Sequence, residues 1–137
     1  MRKTFTIVMA DDDLDDQFLI KTALKSAKVP IFLYPVYDGI QLLDFLHKRY
    51  QFKSVPHRPD VIFLDLNMPL MDGFEALRQI KSFPDLKDIP VYILTTSRAE
   101  EDKKQALELG AAGFYSKGAS SKEINRIVRE VCFECFT

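Results

Sequence analysis

Four short stretches carry residue types that could do chemistry together: Asp11-Asp12-Asp13, Asp65, Thr95-Thr96-Ser97 and Lys117. Each lies at the end of an apolar run. Clustered carboxylates repel one another and need a neutralising charge. A hard divalent cation supplies one through oxygen ligands. Magnesium commonly takes one or two carboxylates, keeps several waters and shares phosphate oxygens. A carboxylate in such a setting can act as a nucleophile and form an aspartyl phosphate. The charge on a transferred phosphoryl group can be stabilised by a metal, an ammonium and a hydroxyl donor.

The elements that must position these groups alternate along the chain. Phe5–Ala10 is a short apolar run that reads as a buried strand. Leu14, Phe18, Leu19, Ala23, Leu24 and Ala27 recur as one helical face, closed by Val29-Pro30. Ile31–Tyr37 reads as a second strand, and Pro35 inside it argues for an edge position or a bulge. A second helix follows the Asp38-Gly39 turn, with Ile40, Leu42, Leu43, Leu46 and Tyr50 on its face. Residues 48–59 form a long polar loop. Asp60–Leu66 is continuously apolar between its acids, as suits a strand covered on both faces. A loop at Asn67–Gly73 leads to a third helix through Phe74, Leu77 and Ile80. Ile89–Thr95 is a fourth strand, Ala99–Leu109 a fourth helix capped by Gly110, and Gly113–Ser116 a fifth strand. Ser120 or Ser121 starts a last helix along Ile124, Ile127, Val128 and Val131.

Strict alternation implies an α/β fold: a five-stranded parallel sheet with right-handed crossovers and helices on both faces. In such folds the ligand lies outside the carboxyl ends of the strands. The four stretches therefore converge in one crevice.

Each piece also has a bland reading. Asp11–Asp13 are suited to cap the first helix. Lys117 alone reads as a solvated surface residue, and Thr95 as a good strand former. Asp65 is harder to dismiss, because an acid ending an apolar strand is costly unless solvated, paired or metal-bound.

The 137 residues suit one domain. Nineteen Lys and Arg against 20 Asp and Glu give a net charge of −1, with no global electrostatic reason to bind nucleic acid or anionic lipid. No apolar run approaches the roughly 20 residues that span a bilayer, and no signal peptide is evident. A cytoplasmic location is the expectation.

From Phe5 to Val131 the chain resembles a CheY-like receiver domain, the response-regulator half of a two-component system. The resemblance rests on Ala10-Asp-Asp-Asp13, Asp65-Leu-Asn-Met-Pro69, Met71-Asp-Gly73, Leu94-Thr-Thr96, Leu109-Gly-Ala111 with Gly113, and Ser116-Lys117. It implies the flavodoxin-like strand order 2-1-3-4-5 and a receiver domain over 1–137 with no fused output domain. It also implies that Asp65 is the phosphoacceptor. Magnesium, with manganese or calcium as substitutes, would be held by Asp11, Asp12, Asp65 and the backbone carbonyl of Asn67. Thr95 and Lys117 would bind the phosphoryl group, Thr95 and Phe114 would form the switch, and Asn67 and Ser97 would tune the lifetime. The implied donor is a sensor histidine kinase or a phosphotransfer protein.

The chain departs from the family after the active-site lysine, where Gly118 replaces the usual proline. A non-proline cis bond costs about 2.5 to 4 kcal/mol, so a trans Lys117–Gly118 bond is expected. Phe114 is the apolar version of the switch aromatic, and Tyr115 beside it should point to the opposite side of the strand. The length of the 48–59 loop resembles that of regulators paired with phytochrome-type kinases.

Cys132 and Cys135 form a C-x-x-C at the end of the last helix, where the dipole disfavours a reactive thiolate. Packing is the main reading, and a zinc or disulfide link across a dimer the other. Residues 132–137 read as an apolar C-terminal tail. With Tyr92, Lys103 and Phe114 they suggest a homodimer through helix four, strand five and helix five. His47 and His57 have no partner at a strand end and are read as surface or structural. Two alternatives stand beside the switch: a small aspartyl-phosphate phosphatase, argued against by Asn67 where a general acid belongs, and an interaction-only relative that takes no phosphate.

Overall fold

The computed structural model describes residues 4–27, 30–55, 58–117 and 121–136. Five strands, β1 (Phe5–Ala10), β2 (Ile31–Val36), β3 (Val61–Leu64), β4 (Val91–Thr95) and β5 (Gly113–Ser116), form one sheet in the order β2-β1-β3-β4-β5. Every pairing is parallel, with Ile7 opposite Val61 and Ile62 opposite Val91. The five helices are α1 (Leu14–Leu24), α2 (Gly39–Leu46), α3 (Gly73–Ser82), α4 (Glu100–Glu108) and α5 (Ser121–Phe136). This is the doubly wound α/β architecture expected from the alternation.

Period-two alternation sorts each strand between two cores. Val8, Ala10, Ile62, Leu64, Val91 and Ile93 pack against α2, α3 and α4. Ile7, Met9, Val61, Phe63, Tyr92 and Leu94 pack against α1 and α5. The central strands are buried on both faces, which explains their unbroken apolar character. Pro35 lies opposite Met9 in β2, a strand that pairs only with β1 at the sheet edge.

Several boundaries differ from the sequence reading. Helix α2 stops at Leu46 instead of continuing to Tyr50. The Arg49 N–H donates to the Asp44 carbonyl and the Lys48 N–H to that of Phe45, with Lys48 at φ 55°. This is a Schellman termination on a non-glycine residue. Helix α4 ends the same way at Gly110, φ 104°, the residue type that this backbone favours. Within the expected 48–59 loop, Tyr50–Phe52 forms a single 3-10 turn.

The apolar stripe assigned to α1 is a second correction. Leu14 and Phe18 are exposed, and the buried residues are Gln17, Ile20, Ala23 and Leu24. A polar residue, Gln17, sits on the inward face because its amide is used there. The expected C-terminal tail is the third. Residues 132–136 are the last turns of α5, with Cys132 and Phe136 in the core and the Phe136 ring 4.3 Å from that of Phe5. The inward spacing of Val128, Val131 and Cys132 simply continues to Phe136. Among the described residues no helix is long and apolar enough to cross a membrane.

The Lys117–Gly118 bond, His57 and Ser120 lie outside the described residues.

Candidate functional site

The sheet brings the four chemical stretches to one edge. The ladder hydrogen bonds run past the strand ends. The Asp11 N–H donates to the Val36 carbonyl, that of Asp65 to Ala10 at 3.0 Å, and that of Lys117 to Thr95 at 2.7 Å. Asp11, Asp65 and Lys117 therefore leave β1, β3 and β5 at the same end of the sheet, where the topological rule places a site.

Asp11 and Asp65 are buried and Asp12 is exposed. One carboxylate oxygen from each of the three lies within 4.8 Å of the others. The Lys117 ammonium sits among them. It donates to Asp11 Oδ2, to Asp16 Oδ2 at 2.7 Å and to Asp65 Oδ2 at 3.3 Å. Burial pushes the Asp11 carboxyl up to about 6, since one ammonium and the Asp13 N–H restore less than water would. Burial acts on Lys117 in the opposite sense. Its hydrogen bonds to Asp11 and Asp16 and the field of Asp65 outweigh that burial, so the ammonium is held above its ordinary range.

The donor set fits a hard divalent cation. Three carboxylates converge, they are anionic oxygen ligands, and a positive charge already lies against two of them. Asp11, Asp12 and Asp65 are the side chains that would hold it.

Local structure fixes these groups. Asp13 is the N-cap of α1 and accepts from the N–H groups of Asp15 and Asp16. The bland capping role thus falls to Asp13, which frees Asp11 and Asp12 for the crevice. Gln17 Nε2 donates to the carbonyls of Met9, Asp11 and Val36, tying α1 to the ends of β1 and β2. Gly73 opens α3 directly against the Asp65 backbone. A Cβ there would lie 2.3 Å from the Asp65 carbonyl oxygen and 2.7 Å from Leu66 Cα. That close approach requires glycine.

The remaining expected residues divide. Thr95 is fully buried at the end of β4, and its Oγ1 accepts from the Ser97 N–H at 3.3 Å. The Asn67 N–H points to Asp65 Oδ1 at 3.4 Å, a long contact. The Ser97 hydroxyl is engaged elsewhere. It donates to Asp102 at 2.6 Å and accepts from the Ala99 N–H, organising the entry to α4, whose N-cap Ala99 has no side-chain acceptor. Phe114 packs against the α2–α4 core and Tyr115 against the α1–α5 core, on opposite sides of β5 as expected. Tyr92 belongs to the core and not to an open face. His47 caps α2 with its ring edge-on to Phe83, away from the site.

Two residues at the site escaped sequence reading. Asp16 looks like one more acid in a first helical turn, and Gln17 like a surface polar residue. Gln17 did leave a signal: it stands three residues before Ile20 and seven before Leu24, on the face that the sheet covers.

Residues 7–129 match the family described as the response regulator receiver domain. The chain is 35% identical over 125 residues to the response regulator Rcp1 of Synechocystis sp., a match covering 91% of this chain and 84% of that protein. It is similar to the crystal structure of the phosphorylated cyanobacterial phytochrome response regulator RcpA, with a TM-score of 0.91 and 34% identity, covering 98% of this chain and 95% of that one. The Mn2+-bound form of Rcp1 gives a TM-score of 0.88 at 34% identity, covering 97% of this chain and 96% of that one.

Proposed function

The chain belongs to the response regulator receiver domain family, and from that premise we propose that it takes a phosphoryl group onto Asp65 in a magnesium-dependent reaction. The observation that carries this reading is the placement of the Lys117 ammonium between Asp11 and Asp65, with the Asp12 carboxylate in reach of both acids. Receiver domains are signalling switches that work with histidine kinases or phosphotransfer proteins. The proposed donor is a phosphohistidine on such a partner. Similarity to Rcp1 and to the phytochrome regulator RcpA favours a phytochrome-type kinase.

Asp65 is the nucleophile. One of its carboxylate oxygens forms the new O–P bond as the N–P bond to the donor imidazole breaks. Lys117 Nζ, already 3.3 Å from Asp65 Oδ2, pairs with a phosphoryl oxygen. The Thr95 hydroxyl accepts from Ser97, so its own proton remains to donate to a second oxygen. When bound, magnesium supplies positive charge that offsets the anionic oxygens in the transition state. Manganese is expected to replace it, in line with the Mn2+-bound form of the related Rcp1.

Afterwards Thr95 and Phe114 move together and remodel the face of α4, β5 and α5, which is the proposed output and self-association surface. Phe133 of α5 stands 72% exposed. Sedimentation that shows monomer alone, with and without a phosphoryl mimic, would end the self-association part. Asn67 and Ser97 tune the lifetime, Ser97 through its hold on α4. On this reading the chain is a switch and not an enzyme acting on small substrates.

The test is intact-mass measurement after incubation with acetyl phosphate. The expected result is a phosphate-sized gain that needs magnesium and is absent in Asp65→Asn. A gain that survives Asp65→Asn, or steady turnover of a small phosphate ester, would overturn the reading.

A further inference from the structure

Three carboxylates touch Lys117, and they are not equivalent. Asp11 and Asp65 belong to the group whose oxygens converge within 4.8 Å and that would hold a divalent cation. Asp16 does not. It reaches the ammonium from the first turn of α1, a separation of 101 residues in sequence, with Oδ2 at 2.7 Å. Its neighbour Asp15 is exposed, so a generic preference for acids at a helix N-terminus does not explain the contact.

A cation entering among Asp11, Asp12 and Asp65 creates a conflict. It withdraws the negative charge that Lys117 shares with Asp11 and Asp65, and it repels the ammonium. Behind the lysine the wall is apolar. A cavity of about 10 Å3 between α1, β4 and α5 is lined by Ile20, Leu94, Ile124 and Ile127 together with Asp16 and Lys117. The ammonium cannot retreat into that wall, because an unpaired charge there would be costly. It either stays on Asp16 or swings out to water.

We propose that Asp16 is a positioning residue for phosphoryl transfer: it is the counter-ion that keeps the Lys117 ammonium in the crevice when a divalent cation takes Asp11, Asp12 and Asp65. The proposal rests on the phosphoryl-transfer reading given above. Asp16 touches neither the cation nor the phosphoryl group and acts only through Lys117. Its helical anchorage, beginning at the Asp13 cap, holds it in place while the other carboxylates change partners.

Two readouts test this, and one does not depend on phosphorylation. The first is acylation of lysines by a water-soluble ester, with and without magnesium, read peptide by peptide with the other lysines as references. In the wild type the Lys117 side chain is 9% exposed and should stay protected in magnesium. In Asp16→Asn its acylation in magnesium should rise several-fold, and Asp16→Glu should restore protection. The second readout is the phosphorylation rate at saturating magnesium and acetyl phosphate. Asp16→Asn should lower it about tenfold, as expected when one partner of a charge-assisted hydrogen bond is lost. The same substitution should do nothing further in a Lys117→Ala background.

Unchanged protection of Lys117 in Asp16→Asn with magnesium bound would overturn the proposal. So would a rate defect that persists undiminished in Lys117→Ala. If the wild type takes no phosphate while Lys117 protection still depends on Asp16, the phosphoryl-transfer reading fails and the ion pair stands.

Discussion

The Tyr92 hydroxyl donates to the Glu134 carboxylate at 2.7 Å, joining the middle of the sheet to the last turn of α5. The Cys135 sulfur lies 3.5 Å from the same oxygen. Burial, with the Cys135 and Glu134 hydrogen bonds added, keeps the phenol protonated well above its ordinary range. The residue that a surface reading places on an output face therefore fastens the C-terminal helix from beneath. Tyr92→Phe should destabilise the fold by about 1.5–3 kcal/mol, the size of a hydrogen bond to a charged acceptor. Urea unfolding should show a lower midpoint at unchanged slope. Pairing the change with Glu134→Gln should give less than the sum of the single effects.

Asp11 gives the metal-free protein a distinctive pH dependence. Its folded-state pKa is raised from 3.8 to about 6, chiefly by burial. Between those values the folded state keeps a proton that the unfolded chain has released. The Asp11 contribution is therefore full below about pH 4 and is lost as pH rises through about 6. In chelator, thermal stability should fall across that window, and Asp11→Asn should remove this component. Saturating magnesium should flatten the slope while raising stability throughout, because only the folded state assembles the three carboxylates. A slope unchanged by Asp11→Asn would sink this assignment.

Gly73 predicts a linked loss of stability and function. An added methyl would strike the Asp65 carbonyl and Leu66. Backbone cannot give way as a flexible side chain can, so Gly73→Ala should cost about 1–3 kcal/mol. It should also slow acetyl-phosphate labelling of Asp65, because α3 and the phosphoacceptor must separate. Chemical denaturation and intact mass measure the two effects on one sample.

The cysteine pair should behave as packing. Cys132 is in the core, and burial pushes its thiol from 9.0 up to about 11; Cys135 is shifted upward by its own burial. Two units lower the Cys132 thiolate fraction near pH 8 about a hundredfold. Iodoacetamide should therefore label Cys132 slowly in the folded protein and rapidly in urea. Fast labelling of the folded state would count against the packing reading of the C-x-x-C.

Much of the molecule is written in local pattern. Apolar runs separated by helical periodicity specify a parallel sheet without any knowledge of contacts, since strands buried on both faces leave no polar alternation. Acids, a hydroxyl and a lysine at consecutive run ends specify the crevice, because parallel strands all present the same end. Boundaries were less legible. The end of α2 depends on Lys48 taking a left-handed backbone, which its side chain does not announce, whereas Gly110 announces the same geometry in α4.

The sequence by itself determined the fold class, the strand order through its family pattern, and the identity of Asp11, Asp12, Asp65 and Lys117 as groups that meet. Only the tertiary structure decided the partners of the polar residues that look ordinary in a line of text. Asp16 is aimed at Lys117, Gln17 binds three carbonyls at the strand ends, Ser97 serves α4, and Tyr92 holds α5. The physical reason is range. Hydrophobic periodicity is a property of neighbours three or four residues apart, so it can be read locally. A hydrogen bond between side chains a hundred residues apart exists only after the sheet has closed the distance.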